Sequence, residues 1–148
     1  MIREFDSAIA GPTSVEGWRD AGRWSRLKIG RHSQPGCAKL GRKVIIAGGY
    51  SYDVGTLRST EVVDLDSREV TAGGDLASPR KYFHLATIRR GGEEKMFAVA
   101  GMSNSSTYHN TVEKLVESVT WRKADSFLAQ GRGFHGAVAV PRDYICPS

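Results

Sequence analysis

The sequence predicts an all-β protein built from a repeated four-stranded unit, and three observations carry that prediction. No segment sustains a helical hydrophobic period of 3.6; the nearest candidate, TVEKLVE (111–117), is short and rich in β-branched residues. From Trp24 onward, short apolar or alternating runs are bounded by Gly, Pro, Ser and Asp, the pattern of strands and turns. The run VIIAGGY (44–50) also recurs 52 residues later as MFAVAGM (96–102), with Ala100-Gly101 in place of Gly48-Gly49. A loop that cradles phosphate is needed once, whereas an element returning at a fixed period marks repeat architecture.

The elements follow in order. Residues 1–22 lack periodicity and contain the turn-rich AGPTSVEG, so they are read as a segment belonging to a preceding unit. Residues 23–148 hold the repeats: about 31–76, about 80–128, and a partial one over 131–148. In the first repeat CAKL (37–40) and KVIIAGG (43–49) are joined through Gly41-Arg42, a two-residue hairpin link. STEVVDL (59–65) then sets Thr60, Val62 and Asp64 on one face, with Glu61, Val63 and Leu65 on the other. A turn at Asp66-Ser67 leads into REVTA (68–72). The second repeat copies this order as HLATI (84–88), KMFAVAG (95–101), NTVEKLV (110–116) and SVTWRKA (118–124), with Glu61 matching Glu113 at a spacing of 52. GRGFHGAVAV (131–140) opens a third unit, with His135 placed 51 residues after His84.

Composition sets broad bounds. A chain of 148 residues, 40% hydrophobic and 25% charged, has enough apolar surface for one core and is not of disordered type. The net charge is +5, but basic residues are interleaved with acidic ones and form no stripe, which argues against a nucleic-acid partner. No apolar run approaches the roughly 18 residues that would span a bilayer, and the start shows no signal-peptide core. The expected setting is therefore cytoplasmic, with no membrane partner. Cys37 and Cys146 lie in apolar surroundings without metal or redox spacing and are expected to be buried free thiols.

The order Arg80, His84, Ala100-Gly101, Val112-Glu113, Trp121 resembles the kelch repeat, as does Arg31, Gly48-Gly49, Glu61, Ala72 before it. Arg132 and His135 begin the same series again. The resemblance covers about residues 24–148, with departures: Pro35 stands at the histidine position of the first unit and Ala72 at its tryptophan position. It implies a kelch-type β-propeller segment of four-stranded antiparallel blades, two complete and others partial, with the ring incomplete. Glycines would then serve close backbone approach, and Trp121 would fill the space between blades. An unclosed ring leaves edge strands open, so the expectation includes a truncated or fragmentary chain, self-association, or pairing with further blades.

Motifs of catalysis are weak. GRGFHG (131–136) fits G-x-G-x-x-G, but that mechanism needs a following helix, and AVAVP follows instead. GYSYD (49–53) departs from the nucleophile elbow at Asp53 and also lacks a helix after its serine. His32, His84, His109 and His135 have no partner at ligand spacing, and His84 and His135 are expected to be structural. The reading assigns no catalytic residue, no metal and no cofactor. The loops GYSYDVGTLRS (49–59) and GMSNSSTYHN (101–110) occupy the same place in successive units. On a propeller they would share a face and present Tyr50, Tyr52, Tyr108 and His109 as partner-binding residues, tyrosine among small polar residues being a mixture suited to recognition. The kelch resemblance thus implies a non-catalytic protein-protein interaction module, an adaptor or substrate-recognition scaffold, whose partner is another protein. The alternatives are a propeller enzyme with its site at the loop face, similar to copper radical oxidases or sugar-processing propellers, and a non-functional truncated product.

Overall fold

The computed structural model describes residues 3–5, 18–20, 25–31, 33–117 and 120–140. These form strands β1 (Arg3–Phe5), β2 (Trp18–Asp20), β3 (Gly36–Leu40), β4 (Lys43–Ala47), β5 (Tyr50–Ser51) and β6 (Gly55–Thr56). They continue with β7 (Thr60–Asp64), β8 (Val70–Ala72), β9 (His84–Arg90), β10 (Glu93–Val99), β11 (Thr111–Val116) and β12 (Thr120–Phe127). Among the described residues there is no helix, so none is long and apolar enough to cross a membrane. Two antiparallel four-stranded sheets, β3-β4-β7-β8 and β9-β10-β11-β12, form the body; β1-β2 and β5-β6 are separate pairs, and among the described residues no sheet closes on itself.

The two sheets are copies of one module, and their side-chain alternation explains how they stack. Pairing Ile45 with Ala38 and Val62 sets these three residues on one face of the first sheet. Leu115 opposite Trp121, with Met96 and Ala98 two residues apart on β10, sets an apolar face on the second. These faces meet. Ile45, Ala47, Leu76, Phe83, Leu85, Met96, Ala98, Leu115 and Trp121 make one buried cluster, with Ala38, Leu40 and Val62 packed against it. Trp121 is 4% exposed, so its indole occupies the space between the sheets, where a large aromatic adds the most apolar burial. Two bonds tie the stack at its edges: Thr87 Oγ1 donates to the Lys39 carbonyl at 2.7 Å, and Gly41 N donates to Glu94 Oε2 at 2.6 Å.

The Gly41-Arg42 link forms as expected between Leu40 and Lys43. In the second module the turn narrows to Gly91-Gly92, because Arg89 and Arg90 still pair with Glu94 and Glu93. Val62 faces the inter-sheet core and Glu61 the opposite side, as the alternation requires.

Three sequence readings are corrected. Val63 pairs with Val70 as Leu115 pairs with Trp121, so Val70, not Ala72, holds the tryptophan position of the first module. Gly49 N donates to the Arg80 carbonyl and Gly101 N to the Arg132 carbonyl, a spacing of 52 that aligns His135 with Phe83 rather than with His84. The histidine match at 51 failed because two unlike residues share the site next door. Residues 131–140, where a third unit is expected to open, lie in no strand or sheet. Cys37 is a free thiol on an exposed residue rather than a buried one, since it sits on the face of β3 that points away from the second sheet. Cys146 lies outside the described residues.

Candidate binding face

The end of the modules that carries the glycine pairs is fixed by two buried ion pairs. Arg80 donates from Nε and Nη2 to Glu113 Oε1 at 3.0 and 2.8 Å, with both side chains fully buried. Glu113 also accepts Ala77 N and Ser78 N, which turns the incoming segment toward the arginine. Arg80 Nη1 reaches the Ala100 and Thr111 carbonyls, and Nη2 reaches Thr111 Oγ1. Arg31 and Glu61 repeat the arrangement: Glu61 accepts Lys28 N and Ile29 N, while Arg31 reaches Glu61, the Gly48 carbonyl and Ser59 Oγ. A carboxylate and a guanidinium can stay charged out of water only with such a shell of bonds.

The arginine thus clamps the carbonyl of the residue that starts the glycine pair. Gly48 has φ +58° and Ala100 has φ +55°, both left-handed, and each sends the chain off its strand into the loop above. A Cβ on Gly48 would lie 2.4 Å from the Arg80 carbonyl and 2.8 Å from the Phe83 ring. The glycine is required there for close approach between modules and for its φ. No helix follows either pair among the described residues, so neither serves as a phosphate loop.

A second left-handed position recurs beside the first. Gln34, Tyr82 and Phe134 have φ of +53°, +53° and +57°, and none of them is glycine. They are linked in series: Tyr82 N donates to the Gln34 carbonyl at 3.3 Å, and Phe134 N to the Tyr82 carbonyl at 3.0 Å. Left-handed backbone costs about 1–2 kcal/mol for a residue with a Cβ, so three copies of it mark a constrained line of residues across the modules. The side chains of Tyr82 and Phe134 join an aromatic row. The Tyr82 and Phe134 rings stack with centroids 3.6 Å apart, Lys81 Nζ lies 4.6 Å from the Tyr50 ring centre and 5.8 Å from that of Tyr82, and Tyr50 meets Tyr52 edge-on at 5.9 Å. Tyr52 is 76% exposed and Phe134 66% exposed, so the row opens to solvent at both ends.

The structure brings Tyr50 and Tyr52 together. Tyr108 reaches the same end through backbone bridges, Lys81 with Met102 and Met102 with Tyr108, and is 47% exposed. His109 is turned inward. Its Nε2 lies 3.2 Å from the Pro79 carbonyl and its N–H donates to the Gly101 carbonyl. Burial lowers its pKa, helped by the charge of Arg80 and opposed by the Pro79 contact. Lys81, Tyr82 and Phe134 were missed by the sequence reading, which searched the two long loops. The signal that could have found them is their place two or fewer residues after the repeating Arg80 and Arg132.

Elsewhere, a cavity of about 730 Å³ opens at the far edge between Leu40, Arg42, Val62, Gly73 and Glu94, away from the aromatic row. Among the described residues no three of His, Cys, Asp and Glu gather as a metal site would require. Ser51 is buried in the β5-β6 pair opposite Gly55, and no helix follows it as a nucleophile elbow needs. Compared with known proteins, the chain matches no protein-family model and no curated protein.

Proposed function

We propose that this chain is a segment of a kelch-type β-propeller and acts as a non-catalytic protein-protein interaction module, an adaptor or recognition scaffold. The observation that carries the reading is the line Gln34, Tyr82 and Phe134, one residue per module, each held in a left-handed conformation. Strain retained at the same place in successive modules points to a use for the side chains it directs. Here it contributes to an exposed row of aromatic rings with a lysine in its middle. Aromatic residues bury large area at low entropic cost, and Lys81 adds a charge already held over a ring, so the row suits another protein's surface.

The test is affinity capture with the whole chain in three forms: unchanged, Tyr82→Ala with Phe134→Ser, and Arg42→Ala at the opposite end. The expected result is a protein retained by the first and third forms and lost by the second, with at least a tenfold weaker Kd when that protein is purified. Far-UV circular dichroism checks that the fold survives. Equal binding by all three forms overturns the reading.

A further inference from the structure

The two four-stranded sheets differ on the face that Lys43 and Ile45 share. Lys43 stands opposite Leu40, and Ile45 opposite Val62, which in turn stands opposite Thr71, so these five residues lie on one side of the first sheet. In the second sheet the row Ile45, Val62, Thr71 becomes Phe97, Lys114, Arg122. Long cationic side chains stand there where the first module has a valine and a short threonine. Gly73 and Gly74 follow at the end of β8 and add no side chain. Here lies the cavity of about 730 Å³, with Leu40, Ile45 and Val62 as its floor and Lys43, Thr71 and Glu94 at its rim. Sites for small molecules run from roughly 300 to 1,000 Å³. Its walls come from both four-stranded sheets.

The charges at the rim single out one side chain. Arg42 makes two bonds to Asp66, at 3.1 and 2.6 Å. Glu94 accepts Gly41 N at 2.6 Å and lies 3.3 Å from Arg89. Lys43 is exposed and makes no ion pair among the described residues. Asp64, opposite it in the register, turns its Oδ1 to the Asp66 and Ser67 amides at 2.9 Å each. The counterpart of Lys43 in the second module, Lys95, is paired with Glu93 at 3.3 Å. Glu93 holds the hairpin place that Gly41 takes in the first module. The module with the apolar floor is thus also the one whose lysine lacks a carboxylate.

We propose that this cavity binds a small apolar monocarboxylate, its body on Leu40, Ile45 and Val62 and its carboxylate on the Lys43 ammonium. From the level of Lys43 and Asp64 to that of Thr60 the floor runs four residue steps along β7, about 13 Å at strand spacing, the reach of a medium-length alkyl chain. Gly73 bounds that end: a Cβ on it would lie 3.0 Å from Thr60 Cγ2 and 3.1 Å from Val62 Cγ2. An apolar body displaces water from the floor, and a charge-assisted bond to the ammonium fixes its direction. A small polar anion would leave the floor wet, and an amine would meet Lys43 with like charge. The cavity lies at the opposite end from the aromatic row, so this site does not depend on the interaction reading given above.

Isothermal titration calorimetry on the purified full chain tests the site with sodium octanoate, octylammonium chloride and sodium acetate. Octanoate should saturate at one molecule per chain. Octylammonium, which keeps the tail, and acetate, which keeps the head group, should each bind at least tenfold more weakly. Lys43→Met should weaken octanoate at least fivefold and bring its affinity close to that of octylammonium. Thr71→Trp should fill the groove and remove binding. Both residues are exposed, so neither change enters the core, and circular dichroism checks the fold. Should Thr71→Trp fail to fold, Thr71→Tyr replaces it in the same comparison. Tyr82→Ala, at the other end, should bind octanoate as the unchanged chain does. No saturable octanoate binding, equal affinity of the unchanged chain for octylammonium, or octanoate binding unaltered by Lys43→Met or by the Thr71 variant overturns the inference.

Discussion

The two arginine-glutamate pairs share a plan and differ in how completely it is filled. Arg80 meets Glu113 at 2.8–3.0 Å and gains Thr111 through both its carbonyl and its hydroxyl. Arg31 meets Glu61 at 3.3 Å, bonds Ser59 Oγ at 3.3 Å, and leaves Nη2 without a hydrogen bond. Burial is the largest influence on the Arg31 pKa and lowers it, against the pull of Glu61. The Arg80 pair lies between two sheets, whereas the Arg31 pair lies on the outer side of the first. What the contrast teaches is that the charge pair alone does not fix the module; the shell of carbonyl and hydroxyl partners around it does.

The comparison breaks most visibly on removing an arginine. Arg80→Met strands the Glu113 carboxylate in a fully buried site and should cost about 3–5 kcal/mol, the range for a buried pair cut on one side. Arg31→Met should cost clearly less, since fewer and longer bonds are lost. Urea midpoints of the two variants measure this, and equal losses would show that bond completeness is irrelevant. Ser59→Thr sharpens the same point: by supplying the hydroxyl geometry that Thr111 gives Arg80, it should raise stability by up to about 1 kcal/mol.

A smaller effect separates the residues that start the glycine pairs. Ala100 is tolerated with φ +55°, but Gly48→Ala would place a methyl 2.4 Å from the Arg80 carbonyl. The reason lies in the next module. Phe83 crowds Gly48, while its counterpart beside Ala100 is His135. Gly48→Ala should cost about 1–3 kcal/mol through strain and displacement of Arg80. Ala100→Gly should change stability by less than about 1 kcal/mol, relief of the left-handed conformation opposing the gain in unfolded-chain freedom. Thermal unfolding of both variants decides it; comparable losses at the two positions would remove the role given to Phe83.

How much of this was legible in the sequence follows the range of each signal. The strands and the alternation of Glu61 against Val62 were readable, because turn residues and side-chain period are local. The equivalence of Glu61 with Glu113 was also readable, since identical residues recur at one spacing. Their union with Arg31 and Arg80 was not drawn, because it joins residues some 30 positions apart. Matching by residue type misplaced Val70 and His135, where the backbone bonds preserve the register and the side chains do not. The aromatic row was half legible: Tyr50 and Tyr52 announce themselves in a loop, while Tyr82 and Phe134 are placed by a backbone conformation that neither residue type favours.

The smallest effect concerns acid. Leu57 N donates to the Gly49 carbonyl as His109 N donates to the Gly101 carbonyl, so the same place holds a group that titrates in one module and one that cannot in the other. Burial lowers the pKa of His109, with Arg80 adding repulsion and Pro79 and Glu113 opposing it; Lys123 also faces the ring and lowers it. Burial likewise lowers that of His135, whose ring nitrogens make no hydrogen bond at ordinary distance although the Val99 carbonyl is near. The folded chain therefore holds fewer protons than the unfolded one between the lowered values and the free imidazole value of about 6.5. In that window stability rises with pH. The contribution is complete above the free value and is lost as pH falls through the folded ones. His109→Leu makes the second module like the first and should flatten the slope of urea midpoint against pH below neutrality, and His135→Phe, copying Phe83, should flatten it further. An unchanged slope in the double variant would place the acid sensitivity in carboxylates such as Asp64, held low by the Ser67 and Asp66 amides, and not in the half-buried imidazoles.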